Sequence, residues 1–140
     1  MAKSSALKTP EVSSLINSFN DVKLTTTNDE IIHSKIIDLI FNKKRNILLH
    51  GPGGSGKSYL IVNIIKKEAE RRERIMNITS TTGVSALSVG GTTIYRWAGI
   101  KLGKESVTII CTKMRQTNKD CLKRWKECRI LVIDEISMLG

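Results

Sequence analysis

The octapeptide Gly-Pro-Gly-Gly-Ser-Gly-Lys-Ser at residues 51–58 is the strongest chemical signal in this sequence. It fits the spacing G-x-x-x-x-G-K-S/T at every fixed position, the pattern of a loop whose backbone N–H groups surround nucleotide phosphates. We expect Lys57 to reach the β- and γ-phosphates and Ser58 to place its hydroxyl on Mg²⁺. A chance match in a flexible turn is the alternative. The predicted nucleotide-binding residues are Gly51, Pro52, Gly53, Gly54, Ser55, Gly56, Lys57, Ser58 and Tyr59.

Two adjacent acids, Asp134 and Glu135, follow the apolar run Ile-Leu-Val-Ile at 130–133. Such a run suits a strand buried on both faces of a parallel sheet, and ligands bind beyond the carboxyl ends of these strands. We expect Asp134 to bind Mg²⁺ as a Walker B acid and Glu135 to polarise the attacking water. Lys57 and Glu135 are therefore the predicted catalytic residues. The alternative is a strand that merely ends at a surface turn, which the phosphate loop upstream disfavours.

Strands and helices must position these side chains, and the apolar pattern predicts both in alternation. A strand at 46–50 precedes the glycine loop, and a helix from Lys57 to about Arg72 follows it, which is the context that the motif requires. The alternation predicts an α/β fold in which helices flank a parallel sheet. The other predicted elements are a helix from Asn28 or Asp29 to about Asn42, a strand at 75–79, turns and short helices over 80–104, and a helix at 112–128.

The composition changes at about residue 27. Residues 1–27 are rich in Ser, Thr and Lys and only weakly apolar, which predicts a flexible leader. Residues 28–140 are expected to form the first part of one nucleotide-binding domain. The sequence stops five residues after Glu135, whereas a phosphate-loop core normally has further strands beyond its acid. We therefore expect the domain to be incomplete at its C-terminus.

The net charge is +10, from 23 Lys and Arg against 13 Asp and Glu. This excess favours polyanionic partners, although basic proteins that bind no nucleic acid also exist. Residues 101–129 hold nine basic residues against three acids, and they form either a DNA-facing patch or a solvated helix face. The nine are Lys101, Lys104, Lys113, Arg115, Lys119, Lys123, Arg124, Lys126 and Arg129.

The three cysteines, Cys111, Cys121 and Cys128, are odd in number and lack the spacing of a zinc site. They predict reduced thiols in an intracellular, reducing compartment. No apolar run reaches the length of a transmembrane helix, so we expect no membrane partner.

Residues 79–100 indicate more specifically which kind of nucleotide-binding protein this is. They read Thr-Ser-Thr-Thr-Gly-Val-Ser-Ala-Leu-Ser-Val-Gly-Gly-Thr-Thr-Ile-Tyr-Arg-Trp-Ala-Gly-Ile. This segment resembles the one that follows the second strand in the petite-integration-frequency (PIF-type) DNA helicases of superfamily one, subgroup B. The phosphate loop, Arg124-Trp125 and the run Asp-Glu-Ile-Ser-Met-Leu at 134–139 are similar to that family as well. The resemblance covers about residues 46–140.

This resemblance implies a RecA-like motor domain that uses ATP and Mg²⁺. The implied activity is 5′-to-3′ translocation on single-stranded DNA, with unwinding of duplexes and junctions in DNA repair, recombination and telomere maintenance. The implied location is the nucleus or mitochondrion of a eukaryote, and otherwise the cytoplasm. Another phosphate-loop ATPase or switch, or a truncated product that binds nucleotide or DNA passively, is the alternative.

The resemblance also implies that Ser80, Thr81, Thr82 and Gly83 lie along the bound DNA strand. Hydroxyl groups can donate to phosphates without steric bulk, while an ordinary strand-to-helix turn is the alternative. The sequence departs from the family at Tyr95, where His is usual, and at Trp97, where Phe is usual. We expect Trp97 in the core, with base stacking as the alternative. The family also reads adenine partly through a Gln upstream of the phosphate loop, whereas the only Gln here is Gln116.

Overall fold

The strands in the described part of the chain are parallel and lie in two sheets. The structure, a computed structural model, describes residues 20–23, 29–101 and 103–139. The chain divides into one unit that ends at Ile64 and a second that begins at Ile65. A two-stranded sheet lies in the first unit and a three-stranded sheet in the second. None of the described helices is long and apolar enough to span a membrane.

In the first unit, strand β1 (Asn20–Lys23) pairs with strand β2 (Ile47–His50), with Val22 opposite Leu49. Helix α1 (Asp29–Ile37) lies between them in the chain and continues as a π-helical segment, Asp38–Asn42. Acids at the start of α1 favour the helix because they face its positive N-terminal end. The glycine loop follows β2 directly. Helix α2 (Lys57–Tyr59) begins after that loop and continues as a π-helical segment, Leu60–Ile65.

In the second unit, strand β3 lies between β4 and β5. The β3–β5 register places Met76 opposite Ile130 and Ser80 opposite Asp134, so the two strands end at the same edge of the sheet. The elements are α3 (Lys66–Arg71), β3 (Met76–Ser80), α4 (Gly83–Ser88), β4 (Thr92–Thr93), α5 (Ile94–Ala98), α6 (Val107–Gln116), α7 (Lys119–Glu127), β5 (Ile130–Asp134) and a 3₁₀ turn (Ile136–Met138).

The core of the second unit is built around the short helix α5. Trp97 is 3% exposed, and it packs with Ile94 and Ala98 against Leu131 and Ile133 of β5. The prediction of Trp97 as a core residue is therefore confirmed. Helix α7 contributes hydrogen bonds to the last carbonyls of α5: the Arg124 guanidinium donates to Trp97 O at 3.1 and 3.3 Å. The Trp125 indole donates to Ala98 O at 3.1 Å. These donors satisfy carbonyls that a helix end leaves without partners.

Helix α3 carries a surface ion-pair network. Glu68 Oε1 accepts a hydrogen bond from Arg71 Nη2 and another from Arg72 Nε, both at 2.6 Å. These two donors, Arg71 first, lower the pKa of Glu68 from 4.5 to about 2. The carboxylate therefore stays charged through any physiological pH.

Two expectations differ from the structure. Residues 20–23 fall in the predicted flexible leader, yet they form β1, because backbone pairing with β2 needs no alternating side-chain pattern. The other residues of the leader lie outside the described residues. The helix predicted at 112–128 was wrong as one element, since α6 ends at Gln116 and α7 begins at Lys119. Asn118 separates them because its side chain accepts from the Cys121 N–H at 3.2 Å and caps α7.

Candidate nucleotide-binding and DNA-binding site

The glycine loop at 51–58 holds its lysine close to its own backbone. Lys57 Nζ donates to Gly51 O at 2.7 Å, to Pro52 O at 2.9 Å and to Ser55 Oγ at 3.4 Å. The three protons of the ammonium group thus each have an acceptor on the loop. The Lys57 side chain lies over the loop, where a phosphate held by the loop N–H groups would meet it.

The loop has this form because its glycines take a backbone conformation that other residues avoid. Gly56, directly before α2, has φ 87° and ψ 15°, and Gly54 has φ 74°. Both lie in the left-handed region, where a Cβ is costly. Ser58 and Tyr59 are exposed at the start of the helix. Binding of Mg²⁺ by the Ser58 hydroxyl stays a prediction.

The acid pair lies at the end of β5. Glu135 is exposed and has a left-handed backbone, φ 53° and ψ 43°, which is uncommon for a residue other than glycine. Its N–H donates to Asp134 Oδ1 at 2.9 Å. That bond occupies one acceptor position of the Asp134 carboxylate and leaves others for a cation. Asp134 itself is half-buried.

Three consecutive hydroxyl side chains connect the end of β3 to the end of β5. Thr79 Oγ1 donates to Val132 O at 2.6 Å, Ser80 Oγ to Asp134 O at 3.3 Å, and Thr81 Oγ1 to Glu135 O at 2.9 Å. Thr79 and Ser80 are fully buried. The predicted loop residues and the predicted acids therefore lie side by side on one edge of the sheet.

The buried position of Ser80 differs from the expectation that this residue lies along the bound DNA strand. Its side chain is 0% exposed and its hydroxyl bonds to Asp134 O, so it stabilises the sheet in this structure. Thr82 caps α4, because its Oγ1 accepts from the Ser85 N–H at 3.3 Å. Gly83 is exposed at the first position of that helix. DNA contacts by Thr81, Thr82 and Gly83 stay a prediction.

Thr79 was not among the predicted site residues. Its hydroxyl makes the shortest of the three bonds between β3 and β5. The available signal was the run Thr-Ser-Thr-Thr at 79–82, since consecutive small hydroxyls at a strand end can hydrogen-bond to neighbouring backbone groups.

The structure brings the acid pair together with Ser80 and Thr81 within the second unit, while the phosphate loop belongs to the first unit. Joint binding of Mg²⁺ by Ser58 and Asp134 therefore stays a prediction. Among the described residues, no three His, Cys, Asp or Glu side chains group as metal ligands. A site of one carboxylate and one hydroxyl suits a Mg²⁺ ion that takes its other ligands from phosphates and water.

Comparison with known proteins decides the family. A family model described as PIF1-like helicase matches residues 23–140 of this chain. The chain belongs to the PIF1-like helicase family. Among curated members, the ATP-dependent DNA helicase RRM3 of Saccharomyces cerevisiae is 36% identical over 107 residues, which are 75% of this chain and 14% of RRM3. The ATP-dependent DNA helicase PIF1 of the same species is 43% identical over 96 residues, which are 67% of this chain and 11% of that protein.

A solved structure of a PIF1-like helicase supports the same assignment. The crystal structure of Pif1 helicase from Candida albicans matches with a TM-score of 0.69 and 31% identity over 83% of this chain and 26% of that chain. The family predicted from residues 79–100 and the α/β fold with parallel strands are both confirmed. The chain spans only about a seventh of the length of RRM3.

Proposed function

We propose that the whole protein is an ATP-dependent 5′-to-3′ DNA helicase, which couples ATP hydrolysis to movement along single-stranded DNA and unwinding. The observation that carries this proposal is the shared edge of β3 and β5. There the backbone carbonyl of Glu135, the predicted catalytic acid, accepts a hydrogen bond from the Thr81 hydroxyl, within the segment that resembles a DNA-binding loop. Coupling between hydrolysis and movement can be carried by hydrogen-bonded segments of this kind.

In this proposal the loop at 51–58 and Tyr59 bind ATP, and the Lys57 ammonium exchanges its neutral loop acceptors for charged phosphate oxygens. Ser58 and Asp134 hold Mg²⁺, whose charge neutralises the phosphates when it is bound. The oxygen donors of both residues suit this hard cation. Glu135 orients the attacking water and accepts its proton.

DNA binding in the proposal depends on Thr82, Gly83 and the basic helices. The Thr82 oxygen accepts from Ser85 N, and its own proton remains available to a phosphate oxygen. The basic residues at 101, 104, 113, 115, 119, 123, 126 and 129 are all exposed, which suits contact with a phosphate backbone. Single-stranded DNA and DNA junctions are the proposed substrates.

We further propose roles in repair, recombination and telomere maintenance, in a nucleus or mitochondrion or, outside eukaryotes, in the cytoplasm. The three free thiols support a reducing compartment. Imaging of the tagged whole protein in its source cells would test the location.

The test of activity is ATP hydrolysis by the whole protein with and without single-stranded DNA. Strand displacement is measured in parallel on duplexes with a 5′ or a 3′ single-stranded tail. We expect hydrolysis that depends on DNA and unwinding only from the 5′ tail, with Lys57→Ala as the inactive control. If the rate of hydrolysis is the same with and without DNA, the protein is instead another kind of phosphate-loop ATPase.

A further inference from the structure

The Thr81 hydroxyl uses its single proton on the backbone of Glu135. Thr81 Oγ1 donates to Glu135 O at 2.9 Å, and the Thr81 N–H lies 3.4 Å from Asp134 O. A hydroxyl has one proton to donate, and phosphate oxygens offer only acceptors. Thr81 cannot hold Glu135 O and donate to a DNA phosphate at the same time.

The Glu135 carbonyl is held from two sides. Besides Thr81 Oγ1, the Met138 N–H donates to Glu135 O at 3.0 Å, within the 3₁₀ turn. A carbonyl oxygen has two lone pairs, so both are engaged. The carbonyl belongs to a residue whose φ of 53° is unfavourable for a side chain with a Cβ, and such a conformation persists only where neighbouring contacts hold it.

The direction of the Glu135 side chain depends on this backbone. The Cα–Cβ bond turns with the local φ and ψ, and the carboxylate lies at its far end. A general base must lie within hydrogen-bond distance of the proton that it accepts. A relaxation of Glu135 from the left-handed to the right-handed region would turn the carboxylate away from the position fixed in this structure.

We propose that Thr81 is a positioning residue for Glu135: its hydroxyl holds the catalytic acid in the left-handed conformation, and it is not a donor to DNA phosphates. This inference rests on the proposed function. If Thr81 holds Glu135, the hydroxyl left to donate to a DNA phosphate is that of Thr82. The end of β3 then connects the predicted DNA-binding segment to the catalytic acid.

The kinetic test is Thr81→Val in the whole protein, because valine keeps the shape of threonine and removes the hydroxyl. We expect kcat at saturating DNA to fall by about tenfold or more, since small misplacements of a catalytic group cost up to about 10² in rate. KM for ATP and Kd for single-stranded DNA should stay within about twofold. Thr81→Ser restores the hydroxyl and should recover most of kcat.

The matched control is Thr112→Val. Thr112 Oγ1 also donates to a backbone carbonyl at 2.9 Å, that of Thr108 on the exposed surface of α6. The Thr112→Val variant should leave kcat unchanged. If Thr81→Val instead weakens DNA binding while kcat at saturating DNA is normal, Thr81 is a DNA contact and the proposal is overturned. If the valine variant fails to fold, Thr81→Ala provides the same comparison.

A second measurement separates this proposal from the proposed function. The NMR coupling between the amide and α protons of Glu135, with its Cα shift, reports the left-handed conformation without any activity. We expect the wild-type signature to be lost in Thr81→Val and kept in Thr81→Ser. An unchanged signature in Thr81→Val contradicts the positioning role, whether or not the wild-type protein hydrolyses ATP. An inactive wild type with the expected change in signature contradicts only the proposed function.

Discussion

At the scale of single residues, Lys57 and Glu135 have environments that suit opposite tasks. Lys57 is half-buried and bonded to three oxygens of its own loop, so it is already ordered where a phosphate would bind. Glu135 is exposed, and its backbone N–H and carbonyl are both hydrogen-bonded. A cation that is ordered before binding loses little entropy on contact with its ligand, whereas an acid that must contact water needs to remain accessible.

We predict that Lys57→Ala abolishes ATP binding and leaves the fold intact. Alanine removes the one side-chain cation that the loop directs at the phosphates, and the loop carbonyls it leaves can turn to water. Isothermal calorimetry on the whole protein should show no measurable affinity, with a melting temperature within a few degrees of wild type. Lys66→Ala, at an exposed lysine of α3, is the control and should bind normally. Equal affinity of Lys57→Ala and wild type would contradict the assignment.

We predict that Glu135→Gln binds Mg-ATP but does not turn it over. The amide keeps the shape of the side chain and removes the basic oxygen, while Asp134 remains for the metal. The steady-state rate should fall by about 10² or more, the range typical of a lost general base, with nucleotide affinity within about threefold of wild type. Glu70→Gln, at an exposed acid of α3, should hydrolyse ATP normally. A rate near wild type would show that Glu135 is not the base.

At the level of helices and strands, the sequence predicted the elements that a short, continuous pattern of residues encodes. Strands β2, β3 and β5 and the helix after the glycine loop lie within one residue of expectation. Strands β2 and β5 are apolar runs, β3 alternates apolar Met76 and Ile78 with polar residues, and the helix begins at a glycine loop. The break at Thr117 and Asn118 was missed because a single capping side chain decided it. The Thr81–Glu135 bond could not be predicted, since it depends on the β3–β5 register and on a left-handed glutamate. Neither of these has a signature in a single sequence.

The turn between α4 and β4 contains two adjacent glycines with different surroundings. A Cβ on Gly91 would lie 2.2 Å from Ile78 O in the middle of β3, whereas a Cβ on Gly90 would meet nothing within 4 Å. Gly90→Ala should therefore cost only about 1 kcal/mol, for its left-handed φ of 66°. Gly91→Ala must displace a sheet backbone and should lower the free energy of unfolding by about 2–4 kcal/mol. Urea denaturation of both variants tests this, and equal costs would contradict the close approach.

At the scale of the whole molecule, the positive charge is unevenly distributed. The net charge is +10, and the exposed basic residues of α6 and α7 outnumber the acids on and beside these helices. Only Lys113–Glu105 and Lys123–Glu127 form ion pairs in that part of the described structure, the second at 3.9 Å. Each of these two pairs offsets one positive charge. The surface therefore keeps an excess of positive charge, which favours contact with a polyanion.

We predict that this chain binds single-stranded DNA through that surface, with an affinity that falls steeply as salt increases. Each phosphate neutralised contributes about 0.7 to the slope of log K against log salt for single strands. Replacing Lys119 and Lys126, seven residues apart on one face of α7, with glutamine should therefore lower the slope by about 1 to 1.5. The control, Lys66→Gln with Lys67→Gln on exposed positions of α3, removes the same charge elsewhere and should leave the slope nearly unchanged. Fluorescence anisotropy of a labelled oligonucleotide across a salt series measures both. Equal slopes for the two double variants would show that the basic stretch is a solvated face, and binding insensitive to salt would contradict an electrostatic interface altogether.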